Sequence, residues 1–285
     1  HGRRGTMREK KARRSAVFEK TFSLLRQGVE DGIIPGAAAA VGVGDTVLAR
    51  GFFGCRQVHG QKLPVTPQTL WDLASLSKVV ATGMTALRLA QRGVIGLDDP
   101  LEAYFSPQDC PDGALWQVRR RVTLRQLLTH TGGFAPGIPL WECCESPAEA
   151  AKAILLSAPV CAPGQQVYYS CLGFILLQRV LEKAAGMPLD TLAQRYVFEP
   201  LGMRDTGYCP LEKGYTDIAA TEWPNPHGRY ICGTVHDENA DFLGGVSGNV
   251  SMEKIIDNSM INSIVPLRER YAVQLSGFLA RHLRV

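Results

Sequence analysis

The sequence contains no Cys-x-x-Cys pair, no His-Glu-x-x-His and no apolar run near the 18 or so residues that a membrane span needs. These absences exclude a zinc ribbon, a thioredoxin-type redox centre, a helical zinc protease and a transmembrane helix. The Gly-x-Ser-x-Gly elbow of α/β-hydrolases is missing too, because Gly245-Val246-Ser247-Gly248-Asn249 lacks the last glycine. Charged residues are only 20% of the chain and hydrophobic residues 45%. A disordered chain, a collagen and a coiled coil are therefore excluded. What remains is a globular protein of 285 residues, long enough for one large domain or two small ones.

The net charge of +4 is unevenly spread. The first twenty residues carry eight Lys or Arg against two Glu, so the rest of the chain is net −2. The base excess reads as an N-terminal tail, 1–14, and a solvated arm is its simplest role. No basic stripe with interleaved aromatics follows, so no nucleic-acid partner is expected. No apolar signal segment follows the basic start, which points to the cytoplasm, or to an extracytoplasmic site if an upstream segment has been lost. The eight cysteines are too sparse for a disulfide scaffold and read as reduced, packed thiols. Adjacent Cys143 and Cys144 suggest a redox pair, against which chance adjacency is the better reading. His130, His236, Asp237 and Glu238 match no zinc spacing, so neither metal nor cofactor is expected, and His130 beside Thr131-Gly132 reads as a turn residue.

Periodicity predicts a helix over 15–32, with Phe18, Phe22, Leu25 and Val29 on one stripe. Two strands follow, 37–43 and 46–53, joined at Gly44-Asp45, a two-residue hairpin signal. The middle is helical: 75–92 ending at Gly93, a short helix capped by Thr123, one opening at Ser146-Pro147, then 172–185 stopping at Gly186, and 189–198. Two strands alone are marginal, so more should lie late in the chain, yet the residues after Asn249 do not supply them convincingly.

Chemistry is concentrated at Ser75-Leu76-Ser77-Lys78. A Ser and a Lys three apart share one helix face. At a helix start, free N–H groups favour an alkoxide, and a nearby lysine amine can accept the Ser proton. With 13 Ser and 9 Lys in the chain, chance supplies roughly 0.4 such tetrads, and a second exists at Ser251-Met252-Glu253-Lys254. Context separates them. Ser75 follows the apolar Trp71-Asp72-Leu73-Ala74 and opens an apolar helix, whereas Ser251 has no such frame.

The stretch Trp71 through Lys78 resembles the first motif of the serine β-lactamase and penicillin-binding protein superfamily. Ile34-Pro35-Gly36-Ala37, Gly96-Leu97-Asp98-Asp99-Pro100-Leu101, Leu127-Leu128-Thr129-His130-Thr131-Gly132-Gly133, Pro200-Leu201-Gly202-Met203 and Val235-His236-Asp237-Glu238-Asn239-Ala240 are similar to further family stretches, in order. Tyr169-Ser170-Cys171 resembles the family's Tyr-x-Asn motif, with Tyr168 as an alternative register. The likeness is greatest to the class C β-lactamase branch, which includes esterases and peptidases.

The resemblance implies an α+β fold: an antiparallel sheet flanked by helices, a domain over 15–249 with a helical subdomain at about 75–215, and an atypical tail, 250–285, with incomplete C-terminal strands. It implies Ser75 as acyl-accepting nucleophile, Lys78 and Tyr169 as the proton-transfer pair, and Cys171 at a substrate-binding position. The expected partner is a small-molecule or peptide acyl substrate; oligomeric state is not legible. Two departures stand out. Cys171 replaces the family's Asn with a weak hydrogen-bonding thiol. No Lys-Thr-Gly or late His-x-Gly is found; His227-Gly228 and His236-Asp237 do not fit. A non-catalytic or truncated member acting as a ligand-binding module is the alternative.

Overall fold

The computed structural model describes residues 7–43, 46–221, 231–249 and 253–255. Helix α1 (Met7–Glu30) starts well before the expected 15. Arg, Lys, Glu and Ala are good helix formers, and a basic composition does not stop a helix. Strands β1 (Gly36–Val43) and β2 (Thr46–Gln57) form the expected antiparallel hairpin. Its Gly44-Asp45 turn, His227-Gly228 and Ser251 lie outside the described residues, as does most of 250–285. Phe22 of α1 is buried, with its ring 5.9 Å from Phe53 of β2, so the helix stripe covers one face of the hairpin. The two-residue β3 (Leu63–Pro64) pairs with the far edge of β2, giving a sheet ordered β1-β2-β3.

A second sheet positions the site. Strand β4 (Leu70–Asp72) leads into Ser75, and the chain then turns through a π-helical stretch, Lys78–Gly83, into α2 (Met84–Gln91). The helical middle follows as α3 (Gly113–Arg119), α4 (Leu124–Leu128), α5 (Leu140–Cys143), α6 (Ala150–Leu156), α7 (Cys171–Ala185) and α8 (Leu189–Ala193). The caps are local. Thr123 and Gln126 form a capping box on α4, and Gly186 ends α7 at φ 66°, the left-handed conformation that glycine adopts without steric cost.

Leu172, Ile175, Leu176, Leu177, Val180 and Leu181 of α7 are fully buried against Leu124, Leu127, Leu89 and Ile154. Each such side chain contributes about 1.5–3 kcal/mol in burial. Arg119 is buried in this subdomain without a carboxylate. It donates to the carbonyls of Gly133 and Ser157, and its guanidinium stacks 4.0 Å from the Phe134 ring. Desolvation pushes it down to about 10.

Strands β5 (Thr206–Gly207) and β6 (Glu253–Ile255) complete the second sheet around α9 (Glu238–Phe242) in chain order. The sheet order is β4-β6-β5, antiparallel throughout, so the residues just past Asn249 occupy its middle. They thus supply a strand that the sequence did not show convincingly. Three residues are too few to carry an alternation pattern, and their pairing is decided by the two edges they bridge. The chain is thus an α+β protein with antiparallel sheets and a helical subdomain.

The segment 246–249 is fixed to α7 and to the helix after Ser75. A Cβ on Gly248 would lie 2.2 Å from the Phe174 carbonyl oxygen and 2.9 Å from Gln178 Cβ. Gly248→Ala is expected to lower stability by about 1–3 kcal/mol in urea unfolding. An unchanged midpoint would show that this packing is not tight.

Candidate active site

Asp72 ends β4, and its Oδ1 accepts the Ala74 N–H at 2.7 Å. The same carboxylate accepts the His236 backbone N–H, while burial holds its pKa above the usual value. This tie keeps Ala74 at φ 44°, a left-handed conformation that a non-glycine rarely adopts. The turn it makes presents Ser75 to solvent just before the helix. No hydrogen bond engages the Ser75 backbone N–H among the described residues. Lys78 lies one turn on and is only 2% exposed. Its Nζ donates to Ser75 Oγ at 3.1 Å and to the Asn249 carbonyl at 2.8 Å. No carboxylate pairs with it among the described residues.

The Asn249 carbonyl is the group that motif reasoning missed. Around it, Thr82 Oγ1 donates to the Gly248 carbonyl at 2.8 Å. Gly248 N–H donates to Gln178 Oε1 at 2.8 Å, and Gln178 Nε2 donates to the Val246 carbonyl at 3.1 Å. Ser247 Oγ donates to Asn249 Oδ1, and Asn249 Nδ2 donates to Asp237 Oδ1 at 3.3 Å. Thr82, Gln178, Ser247 and Asn249 are all buried. The available signal was Gln178, a polar residue inside the apolar run of α7 that must find partners when buried.

Tyr169 approaches from the other side. Its ring face lies 4.8 Å from Lys78 Nζ, a cation–π contact. Among the described residues no hydrogen bond joins its hydroxyl to Lys78 or Ser75. The structure therefore brings Ser75, Lys78 and Tyr169 together and places Tyr169, not Tyr168, against the lysine. Cys171 opens α7, with its N–H donating to the Pro136 carbonyl at 2.9 Å, and its thiol makes no hydrogen bond among the described residues. None of the eight cysteines is in a disulfide.

His130, read from sequence as a turn residue, does more. It sits at φ 58°, its carbonyl accepts Tyr168 N–H at 2.9 Å, and its Nδ1 accepts Ser170 N–H at 3.1 Å. Accepting at Nδ1 fixes the neutral ring with its proton on Nε2. The ring packs 4.6 Å from Tyr169 and 5.1 Å from Phe174, so it backs the tyrosine. A cavity of about 680 Å³ lies elsewhere, lined by Leu70, Phe198, Arg204, Tyr208 and Lys213 among others, and touches none of Ser75, Lys78 and Tyr169.

With this geometry in place, comparison decides the family. The Beta-lactamase family model matches residues 22–253. The chain belongs to that family. It is 30% identical over 219 residues to an Escherichia coli K12 protein named as a candidate D-alanyl-D-alanine carboxypeptidase, covering 67% of this chain and 49% of that one. A Salmonella typhimurium protein of the same name is 29% identical over 209 residues, covering 66% and 48%. The chain thus spans about half the length of these relatives.

Solved structures share the fold. An octameric penicillin-binding protein homologue from Pyrococcus abyssi superposes with TM-score 0.69 at 23% identity, covering 88% of this chain and 56% of that one. EstCE1, a hydrolase with promiscuous acyltransferase activity, gives 0.67 at 21%, covering 91% and 73%. A class C β-lactamase from Rhodobacter sphaeroides gives 0.65 at 22%, covering 90% and 64%. This family member carries the superfamily's Ser-x-x-Lys at the start of its first long helix after the hairpin.

Burial, and then the Lys78 charge, lower the His130 pKa below its usual 6.5. The unfolded chain therefore takes up this proton first as pH falls, so the His130 contribution to stability is complete above 6.5 and declines below it. Acidification from neutrality to about pH 5 is expected to lower the urea midpoint, and His130→Asn to flatten that slope. Identical slopes in the two proteins would contradict this role for the ring.

Proposed function

We propose that the chain is a serine acyl hydrolase acting on an amide or ester of a small molecule or peptide. One observation carries the proposal: the buried Lys78 amine lies 3.1 Å from the exposed Ser75 hydroxyl. In this reading Ser75 Oγ bonds to the substrate carbonyl carbon and its proton passes to the Lys78 amine, which accepts it only when unprotonated. The tetrahedral oxyanion takes the unengaged Ser75 N–H. The bond to the leaving amine or alcohol breaks, and the proton held by Lys78 goes to the leaving group. Water then attacks the acyl-enzyme and regenerates Ser75. Tyr169 borders the amine and serves in proton transfer by turning its hydroxyl toward it. Cys171 faces the substrate with a weaker partner than an amide. The names of similar proteins, spanning peptidase, esterase and lactamase, support acyl transfer without choosing the acyl group.

A second reading, a ligand-binding member without turnover, is favoured by the Cys171 thiol, which stands where the resemblance implies an Asn. Turnover separates the two. Steady hydrolysis of p-nitrophenyl acetate or nitrocefin, reduced at least about 1,000-fold by Ser75→Ala, is the expected result. No turnover beyond a single acylation would favour the binding module. Cys171→Asn is expected to speed acylation about tenfold by restoring one substrate contact, as read from burst kinetics. A slower burst would remove Cys171 from the substrate path.

A further inference from the structure

Cys143 and Cys144 lie outside the Ser75 site and have no part in the reaction proposed there. Cys143 is exposed and Cys144 half-buried, on the last turn of α5. The backbone beneath them is fixed. Cys143 N–H donates to the Pro139 carbonyl at 3.2 Å and Cys144 N–H to the Leu140 carbonyl at 3.0 Å. Leu140 is fully buried, and its own N–H donates to Asn239 Oδ1 of α9 at 2.8 Å. Asn239 Nδ2 returns a bond to the Ile138 carbonyl at 3.0 Å. Cys143 Sγ donates to the Pro139 carbonyl at 3.1 Å, and the Cys144 side chain lies within hydrogen-bonding reach of Cys143. Two neighbouring sulfurs are thus held on a rigid base, Cys143 at the surface and Cys144 partly packed against the core.

Which chemistry suits such a pair follows from three facts. A direct S–S bond would have to close over adjacent Cα atoms about 3.8 Å apart. Ordinary disulfides span about 4.4–6.8 Å, so this bond would be strained and readily reduced. A reactive thiolate needs an electropositive setting. Here Glu142 and Glu145 flank the pair, and Glu149, which binds the Glu145 N–H at 2.9 Å, adds its charge. Burial, and then the neighbouring Cys143 thiol, raise Cys144 to about 11. Finally, no third His, Cys, Asp or Glu converges with the sulfurs to form a metal-binding group among the described residues. A tetrahedral zinc site is therefore not assembled. What remains is a soft centre satisfied by two adjacent sulfurs, which brings its own third substituent.

We propose that Cys143 and Cys144 together form a chelating site for a trivalent thiophilic centre, of the arsenic(III) class, bridged across both sulfurs. With phenylarsine oxide as the probe, two S–H bonds break and two As–S bonds form. The arsenic-bound oxygen takes both protons and leaves as water, and arsenic remains trivalent. No oxidant is needed, and the α5 backbone keeps its hydrogen bonds.

The test uses the full chain, reduced and then freed of reductant, with a stoichiometric amount of phenylarsine oxide and intact-mass detection. One adduct per chain is expected, stable to excess glutathione and removed by dithiothreitol, because a dithiol competes with both sulfurs at once. Cys143→Ser and Cys144→Ser, each checked for wild-type helical content, should each lose the glutathione-resistant adduct. The proposal is overturned if wild type forms no adduct, or if either variant retains it. It is also overturned if mild glutathione disulfide treatment joins Cys143 to Cys144 as a stable disulfide. Ser75→Ala should bind the probe as wild type does, so this result is independent of the hydrolase reading.

Discussion

The site depends on one buried amine. Lys78 Nζ leaves water for a position between the Ser75 hydroxyl and the Asn249 carbonyl, with an aromatic face as its third neighbour and no carboxylate among the described residues. A buried cation without compensation is costly, so the surrounding groups must be fixed in advance. They are. Hydrogen bonds from Thr82, Gln178, Ser247 and Asp237 lock 246–249, and a glycine at 248 lets that segment lie against α7. Placing a carboxylate there would have tied the amine into an ion pair. A carbonyl and a π-face orient it without an ion pair.

The same arrangement explains the opposed exposure of the two motif residues. Asp72 holds Ala74 in a left-handed turn, which raises Ser75 out of the sheet while the π-helical stretch that follows tucks Lys78 inward. π-stretches within helices are uncommon and cluster at functional positions. His130 completes the wall by accepting from Ser170 and stacking on Tyr169, so the tyrosine is set by a residue far upstream in the chain. Strand β4, the helix after Ser75 and the α4–α7 layer thus meet at one place, and the helical parts share one core.

Much of this was legible in the sequence. The Ala-rich hairpin, the Thr123 cap with Gln126, and the stop at Gly186 are local signals, and each produced the expected element. Ser75, Lys78 and Tyr169 carry side-chain identity in a fixed order, which is what a motif records. The remainder was hidden for physical reasons. The Asn249 oxygen is a main-chain group, identical in every residue, so no pattern marks it. Ala74 gives no hint of a positive φ, because a neighbouring carboxylate imposes that conformation. Strand β6 has three residues, and the start of α1 is masked by charge that reads as a tail. His130 looked like a turn residue because it is one, and its ring's second task appears only when Ser170 and Tyr169 come to it.

The central claim is that the buried amine makes Ser75 the nucleophile. It is tested most directly by mapping the peptide that carries a fluorophosphonate adduct and timing its formation in wild type and in Lys78→Met. The account predicts modification confined to Ser75, slowed at least about 100-fold by loss of the amine. Adducts spread over other serines, or equal rates in the two proteins, would contradict it.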